Sequence, residues 1–272
     1  MELNIGGFTA KAPNADGLRI AMLLWGDAGA GKTTLAATAP GKKLWLLFDP
    51  DGDKSIIGRD DIITLDLSGE RHSIVAKMKD DDPLGITKVL KDNPDIETIV
   101  FDSATAFSAL ALEHAVSNIK KLHSNTAVTI EDPAQRGYGH RNTNTMRALS
   151  AMMRITKQLN LHYIIITHEA APTTDDKGNI LYISMQLGGQ IPNLIGLQLS
   201  EIWWMSRNDK GKRFIAPNVC RMRKPMKSRM FDGTGAVEFE WKFDPNTWSG
   251  DGIETWFNKW KEAGGRKVPI PK

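Results

Sequence analysis

Trp25 to Thr34 reads WGDAGAGKTT and follows the apolar run RIAMLL from Arg19 to Leu24. Gly26 to Thr33 fit the pattern G-x-x-x-x-G-K-[ST] with no departure. Each position has a chemical use. Gly26, Gly29 and Gly31 let the backbone curl until consecutive N–H groups converge on an anion. Lys32 brings a mobile cation, Thr33 a hydroxyl for Mg²⁺, and the helix that follows adds its N-terminal dipole. The pattern predicts ATP and Mg²⁺ as ligands, with Gly26, Asp27, Ala28, Gly29, Ala30, Gly31, Lys32, Thr33 and Thr34 around the phosphate chain.

A magnesium–nucleotide site needs a second carboxylate, at the end of a neighbouring buried strand, to hold the metal's water shell. The segment IVFDS supplies Asp102 there; a carboxylate that merely caps the next helix is the plain alternative. Ser103 follows it, where many P-loop ATPases carry a glutamate that polarises the attacking water, so a base must come from another strand. LLFDPDGDK offers Asp49 and Asp51 at a strand tip shaped by Pro50 and Gly52. Asp51 is the expected base and Asp49 the reserve, against the alternative of an ordinary turn rich in Asp, Pro and Gly.

The elements that must carry these residues alternate. RIAMLLWG (19–26), KLWLLFDP (43–50), IETIVFDS (96–103) and LHYIIITH (161–168) are apolar throughout, and DIITLDL (61–67) is a weaker strand. Helical stretches are expected from Gly31 to Pro40, over 84–92, 105–122 and 142–160, with a loop from Leu122 to His140. Strands buried on both faces and separated by helices predict a mostly parallel central sheet flanked by helices. Beyond His168, ILYISMQL, EIWWMSR, RFIAP, NVCRMR and AVEFEWKF read as further strands, expected to be antiparallel. Trp203 and Trp204 are adjacent in one of them, so one is expected in the core and the other at an interface. In the tail, Ile253, Trp256, Phe257 and Trp260 fall at helical spacing, with Asp251 as the expected cap. The expected organisation is a core over 1–246 and a helix and tail over 247–272 packed on it.

With 41% hydrophobic and 25% charged residues, the 272-residue chain can bury a sizeable core. Its single cysteine, Cys220, excludes an internal disulfide and any multi-cysteine metal site. No apolar run approaches the roughly 20 residues of a membrane helix, and the start lacks the pattern of a secretory signal; a cytoplasmic protein is expected. Net charge is +3, yet nine basic residues lie between Arg207 and Met230 against one acid, Asp209. That asymmetry suits an anionic partner such as nucleic acid, or else solvated strand edges.

A P-loop strand, a strand ending in D-x-acid, an apolar strand ending in Asp102-Ser103 and another closing at His168 together resemble the RecA-like P-loop NTPase core. The resemblance implies catalysis by Asp51 and Lys32, although the family usually has Glu at the Asp51 position. It also implies a γ-phosphate contact from His168, where the family often has Gln. Lys227-Ser228-Arg229 resembles the K-N-[KR] element of RecA and RadA-type proteins, with Ser in place of Asn; those cations reach the nucleotide of the next subunit. More narrowly, the chain resembles phage-encoded RecA-like single-strand annealing ATPases through Asp102-Ser103, Thr167-His168-Glu169, Gly137-Tyr138-Gly139, LGGQIPNLI and the late K-x-R, over about Leu18 to Phe231. This implies DNA-stimulated ATPase activity on single-stranded DNA in phage recombination, in a homo-oligomeric ring or filament, with a single-strand-binding protein as a partner and no membrane. Two loops, approximately Asn125–His140 and Glu169–Gln190, would face DNA, with Arg136, Tyr138 and Arg141 as contacts. The alternatives are a nucleotide-regulated assembly protein such as a helicase loader, with little turnover, and a P-loop kinase, for which no arginine-bearing lid is visible.

Overall fold

The structure is a computed structural model that describes residues 2–11, 15–122, 128–218, 220, 222–233 and 237–271. The central strands are β1 (Ala21–Gly26), β2 (Lys42–Leu47), β3 (Ile62–Asp66), β4 (Ile96–Asp102), β5 (His162–Ile166), β6 (Glu201–Arg207), β7 (Arg213–Ala216), β8 (Lys227–Ser228) and β9 (Phe239–Glu240). Among the described residues these nine form one sheet in the order β9-β7-β6-β1-β5-β4-β2-β3, with β8 paired to β6. From β6 to β3 every pairing is parallel, while β7, β8 and β9 join antiparallel. The sheet is thus mostly parallel with antiparallel additions from the C-terminal third, as the alternation of apolar strands predicts. Contrary to expectation, EIWWMSR is itself parallel to β1 on its inner side.

The helices are α1 (Lys32–Ala36), α2 (Ile74–Met78), α3 (Ile86–Asp92), α4 (Ala104–Leu122), α5 (Ala134–Gln158), α6 (Ile191–Gln198) and α7 (Ile253–Glu262). Successive strand residues point to opposite faces, and this divides the core in two. Leu23, Trp25, Phe101, Tyr163, Ile165 and Trp204 face a cluster with Phe107 and Ala111 of α4 and Leu149 and Met152 of α5. Met22, Leu24, Val100, Ile164, Ile166 and Trp203 face the other, with Leu35 of α1 and Trp256 of α7. Both tryptophans are therefore core, at 0% and 4% exposure, and neither forms an interface.

The four apolar residues expected on one side of α7 are buried as the spacing requires. Asp251 is not its cap. The backbone N–H groups of Ile253 and Glu254 instead donate to the Thr38 hydroxyl (2.9 Å) and carbonyl (2.9 Å), just beyond α1. Gly252 permits the approach, since a Cβ there would lie 2.4 Å from Thr38.

Three further segments depart from expectation. α1 ends at Ala36, short of Pro40. ILYISMQL contributes only Ile180–Tyr182, hairpinned to Thr173–Thr174, and in NVCRMR Val219 and Arg221 lie outside the described residues. α5 begins at Ala134 rather than at 142. Arg136, Tyr138 and Arg141 therefore sit on a helix and not in a loop, and residues 125–127 of that expected loop lie outside the described residues.

Candidate functional site

The parallel registers bring the carboxyl ends of the strands level. Gly26 pairs with Met205, Leu24 with Ile166, Ile166 with Asp102, and Asp102 with Leu47. The turns after β1, β2, β4 and β5 consequently open on one edge, where ligands of open α/β sheets bind. A cleft of about 490 Å³ lies there. It is lined by Gly29, Gly31, Lys32 and Thr33 from the first turn, and by Asp49, Asp102, His168 and Arg213 from other elements.

The glycine-rich turn has the geometry its pattern implies. Gly26, Gly29 and Gly31 all have positive φ (143°, 74° and 95°), and a Cβ on Gly26 would fall 1.9 Å from the Met205 carbonyl oxygen. Lys32 is buried, and its Nζ donates to the carbonyls of Gly26 (2.9 Å) and Asp27 (2.7 Å). Burial lowers its ammonium below the usual lysine value, against the pull of Asp102, Asp27, Asp49 and Glu169.

Thr33 Oγ1 donates to Asp102 Oδ2 (3.2 Å), and Trp45 Nε1 donates to the same oxygen (3.2 Å). A hydroxyl and a carboxylate converging beside a turn of backbone N–H groups are hard oxygen donors, and they fit Mg²⁺ held with nucleotide phosphates. Asp102 is 3% exposed. Burial, and secondarily the Asp49 charge, raise its carboxyl from the ordinary 3.8 to about 6, against Trp45, Thr33 and Lys32.

This has a measurable consequence for the protein without nucleotide. Between about pH 4 and 6 the native state holds a proton on Asp102 that the unfolded chain has lost, so this group's contribution to stability falls as pH rises through that window. Asp102→Asn keeps an acceptor for Thr33 and Trp45 and removes the buried charge. It is expected to raise stability near pH 7 by on the order of 2–3 kcal/mol, and by little near pH 4. Denaturant melts at the two pH values check this; a variant less stable than wild type at pH 7 overturns it.

The two acids after β2 separate. Asp49 Oδ2 stands 3.6 Å from His168 Nε2 inside the cleft. Burial raises its carboxyl, but the nearby His168 and Ser103 side chains and the Lys32 charge outweigh that and leave it below the ordinary value. Asp51 does not line the cleft. It occupies a left-handed turn position (φ 59°), its side chain is 72% exposed, and it pairs with Lys54 at 3.1 Å. The reversal after Pro50 carries the second acid outward, so of the two candidates Asp49 lines the cleft and Asp51 does not. His168 is fixed from its backbone: its N–H donates to Thr105 Oγ1 (3.0 Å), which in turn contacts Thr167 Oγ1 (2.8 Å).

The remaining expected residues lie outside the cleft. Lys227 opens β8 and Arg229 follows it; β8 pairs with the amino end of β6 at Glu201 and Ile202, the edge opposite the phosphate turn. Lys227 Nζ donates to the Leu199 carbonyl (2.8 Å), and Arg229 is exposed. Buried Glu201 holds that segment, accepting from Ser228 Oγ (2.6 Å), Arg229 N (2.8 Å) and Met230 N (3.0 Å).

On α5, Arg136 and Tyr138 are exposed, and the Arg141 guanidinium lies 5.0 Å over the Tyr138 ring. Arg141 also packs on the turn at Gly188, where a Cβ would overlap its Nη2 at 1.4 Å. The segment reaching that turn is tied to the cleft, because Gln186 N donates to the His168 carbonyl (2.7 Å). Arg213 is the one cleft cation that motif reasoning missed; its only sequence signal was membership of the basic stretch.

Residues 18–224 match the family described as AAA domain. Among solved structures, the crystal structure of the RadB recombinase is similar at 13% identity, covering 75% of this chain and 83% of that chain, with a TM-score of 0.43. No curated protein matches the sequence. The matched span runs from just before β1 to just before β8 and holds every residue lining the phosphate cleft. The chain belongs to the AAA domain family and is a nucleotide-binding P-loop protein.

Proposed function

We propose that the protein binds and hydrolyses ATP and acts on single-stranded DNA in recombination, assisting annealing or strand pairing as a homo-oligomer. The observation that carries the hydrolytic part is the meeting of Asp49 and His168 in the cleft that also holds Lys32, Thr33 and Asp102. Asp49, ionised at neutral pH, orients a water for in-line attack and accepts its proton. His168 faces the same oxygen and senses the terminal phosphate. Lys32 leaves the loop carbonyls to neutralise phosphate charge as it develops. Thr33 and Asp102 would hold Mg²⁺, which would neutralise charge on the nucleotide phosphates.

Support for the DNA part is local. Arg136, Tyr138 and Arg141 offer two cations and a ring on one helical stretch, which suits phosphate contact and base stacking. Arg141 packs on the turn that the His168 carbonyl anchors through Gln186, so a change at the sensor has a short path to that surface, through one hydrogen bond and one packing contact. Arg229, exposed just after β8 at the amino end of β6, is the cation proposed to reach a neighbouring subunit's nucleotide, with Lys227 beside it. Among the described residues no helix is long and apolar enough to cross a membrane.

ATP turnover measured with and without single-stranded DNA tests the reading. Stimulation of tenfold or more, about 1.4 kcal/mol at the barrier, is expected. Turnover indifferent to DNA would overturn the DNA part. One observation favours a second reading, a nucleotide-switched assembly protein: an Asp49 carboxyl held below its ordinary value is a weak proton acceptor. Tight binding with no turnover under either condition selects that reading.

A further inference from the structure

Arg213 opens β7, and its register fixes its height. It pairs with Arg207, two residues beyond Met205, which itself pairs with Gly26. The side chain therefore starts level with the phosphate turn and reaches over it: a Cβ on Gly31 would lie 3.0 Å from both Cδ and Nε of Arg213. It lines the cleft, and its guanidinium lies 5.7 Å from the centre of the buried Trp241 ring. Among the described residues no carboxylate lies within ion-pair distance of it, although Lys212 beside it is paired with Glu240 at 2.8 Å. Burial, and secondarily the like charge of Arg207, hold it below the usual arginine value. A half-buried guanidinium without an anion is costly unless a ligand supplies one.

Its side of the cleft assigns the role. Asp102 ends β4, and Asp49 and His168 follow β2 and β5, all on one side of β1 in the sheet. Arg213 comes from β7, on the other side of β1. The residues suited to the terminal phosphate and its metal are thus gathered at one end, and Arg213 stands at the opposite end, against Gly31.

We propose that Arg213 is an in-chain binding residue for the nucleoside-proximal end of the phosphate chain, pairing with the α- and β-phosphates of ADP and ATP alike. This rests on the nucleotide-binding reading of the cleft and adds to it. Arg213 sets affinity for both nucleotides, whereas the Asp49–His168 end distinguishes one from the other. A planar fork suits two adjacent phosphate oxygens better than a point charge does.

The test is calorimetric binding of ADP and of non-hydrolysable ATP, with magnesium, to wild type, Arg213→Gln, Arg213→Lys and, as a control for general charge, Arg207→Gln. Arg213→Gln is expected to weaken both nucleotides by a similar factor of about 10 to 100. Arg213→Lys should recover part of this, Arg207→Gln should bind as wild type, and no variant should melt below wild type without nucleotide. Unchanged ADP affinity in Arg213→Gln overturns the proposal. So does a loss confined to the ATP analogue, which would put the guanidinium at the terminal phosphate. Wild type that binds neither nucleotide refutes the cleft reading itself, a result distinct from either.

Discussion

Asp49→Asn is expected to bind ATP with near-wild-type affinity and to lose turnover by a factor of about 10² to 10⁴, the usual contribution of a positioned general base. Asp51→Asn should turn over as wild type. The two acids are separated in sequence only by Pro50, so the pair of variants isolates position from chemistry. Asp49 faces His168 within the cleft, whereas Asp51 spends its charge on Lys54 in solvent. Nucleotide affinity should survive in Asp49→Asn because Lys32 and the turn's N–H groups are untouched. Removing a negative charge near Asp102 should, if anything, favour phosphate. Single-turnover and steady-state hydrolysis, with binding measured in parallel, decide the matter. Loss of activity in Asp51→Asn together with retention in Asp49→Asn would reverse the assignment.

Lys32→Ala is expected to lose nucleotide binding and turnover together. Its ammonium lies within the electrostatic reach of Asp102, Asp27, Asp49 and Glu169. Without it, an entering triphosphate meets a cleft whose nearest acids have no compensating charge, so ground state and transition state suffer alike. Removing a single charge-stabilising donor from such a site costs on the order of 10²–10³ in rate, and the lost affinity adds to that. Binding of a fluorescent nucleotide should fall below detection at concentrations that saturate wild type, and circular dichroism should show an intact fold. A variant that binds normally and fails only in turnover would restrict Lys32 to the chemical step.

Much of this architecture was readable where the cause is local. Continuous apolar runs gave the buried parallel strands because both faces of a covered sheet are dry. The phosphate turn was readable because its glycines are needed for positive φ in a contiguous stretch. What escaped depends on contacts distant in sequence. α5 starts eight residues before the expected 142, across Gly137 and Gly139, which weaken a helix in isolation. Gly137 is buried, and a Cβ there would lie 2.9 Å from Pro133 Cβ and 4.0 Å from Val116 Cγ2 of α4, so close packing holds the turn that propensity would release. Which of Asp49 and Asp51 lines the cleft turns on one residue's left-handed backbone, and nothing in the two side chains signals it. Arg213 reaches the cleft through strand pairings spanning most of the chain, and no short pattern encodes that.

The bond between Thr38 and the start of α7 bears on how this protein folds. The phosphate turn lies at 26–33, but the strand on one side of β1 and the helix that covers α1 lie at 201–207 and 253–262. Until these dock, Met22, Leu24 and Trp45 have only part of their cover. Closing the nucleotide pocket therefore costs the loop entropy of joining segments far apart along the polypeptide, which slows its formation.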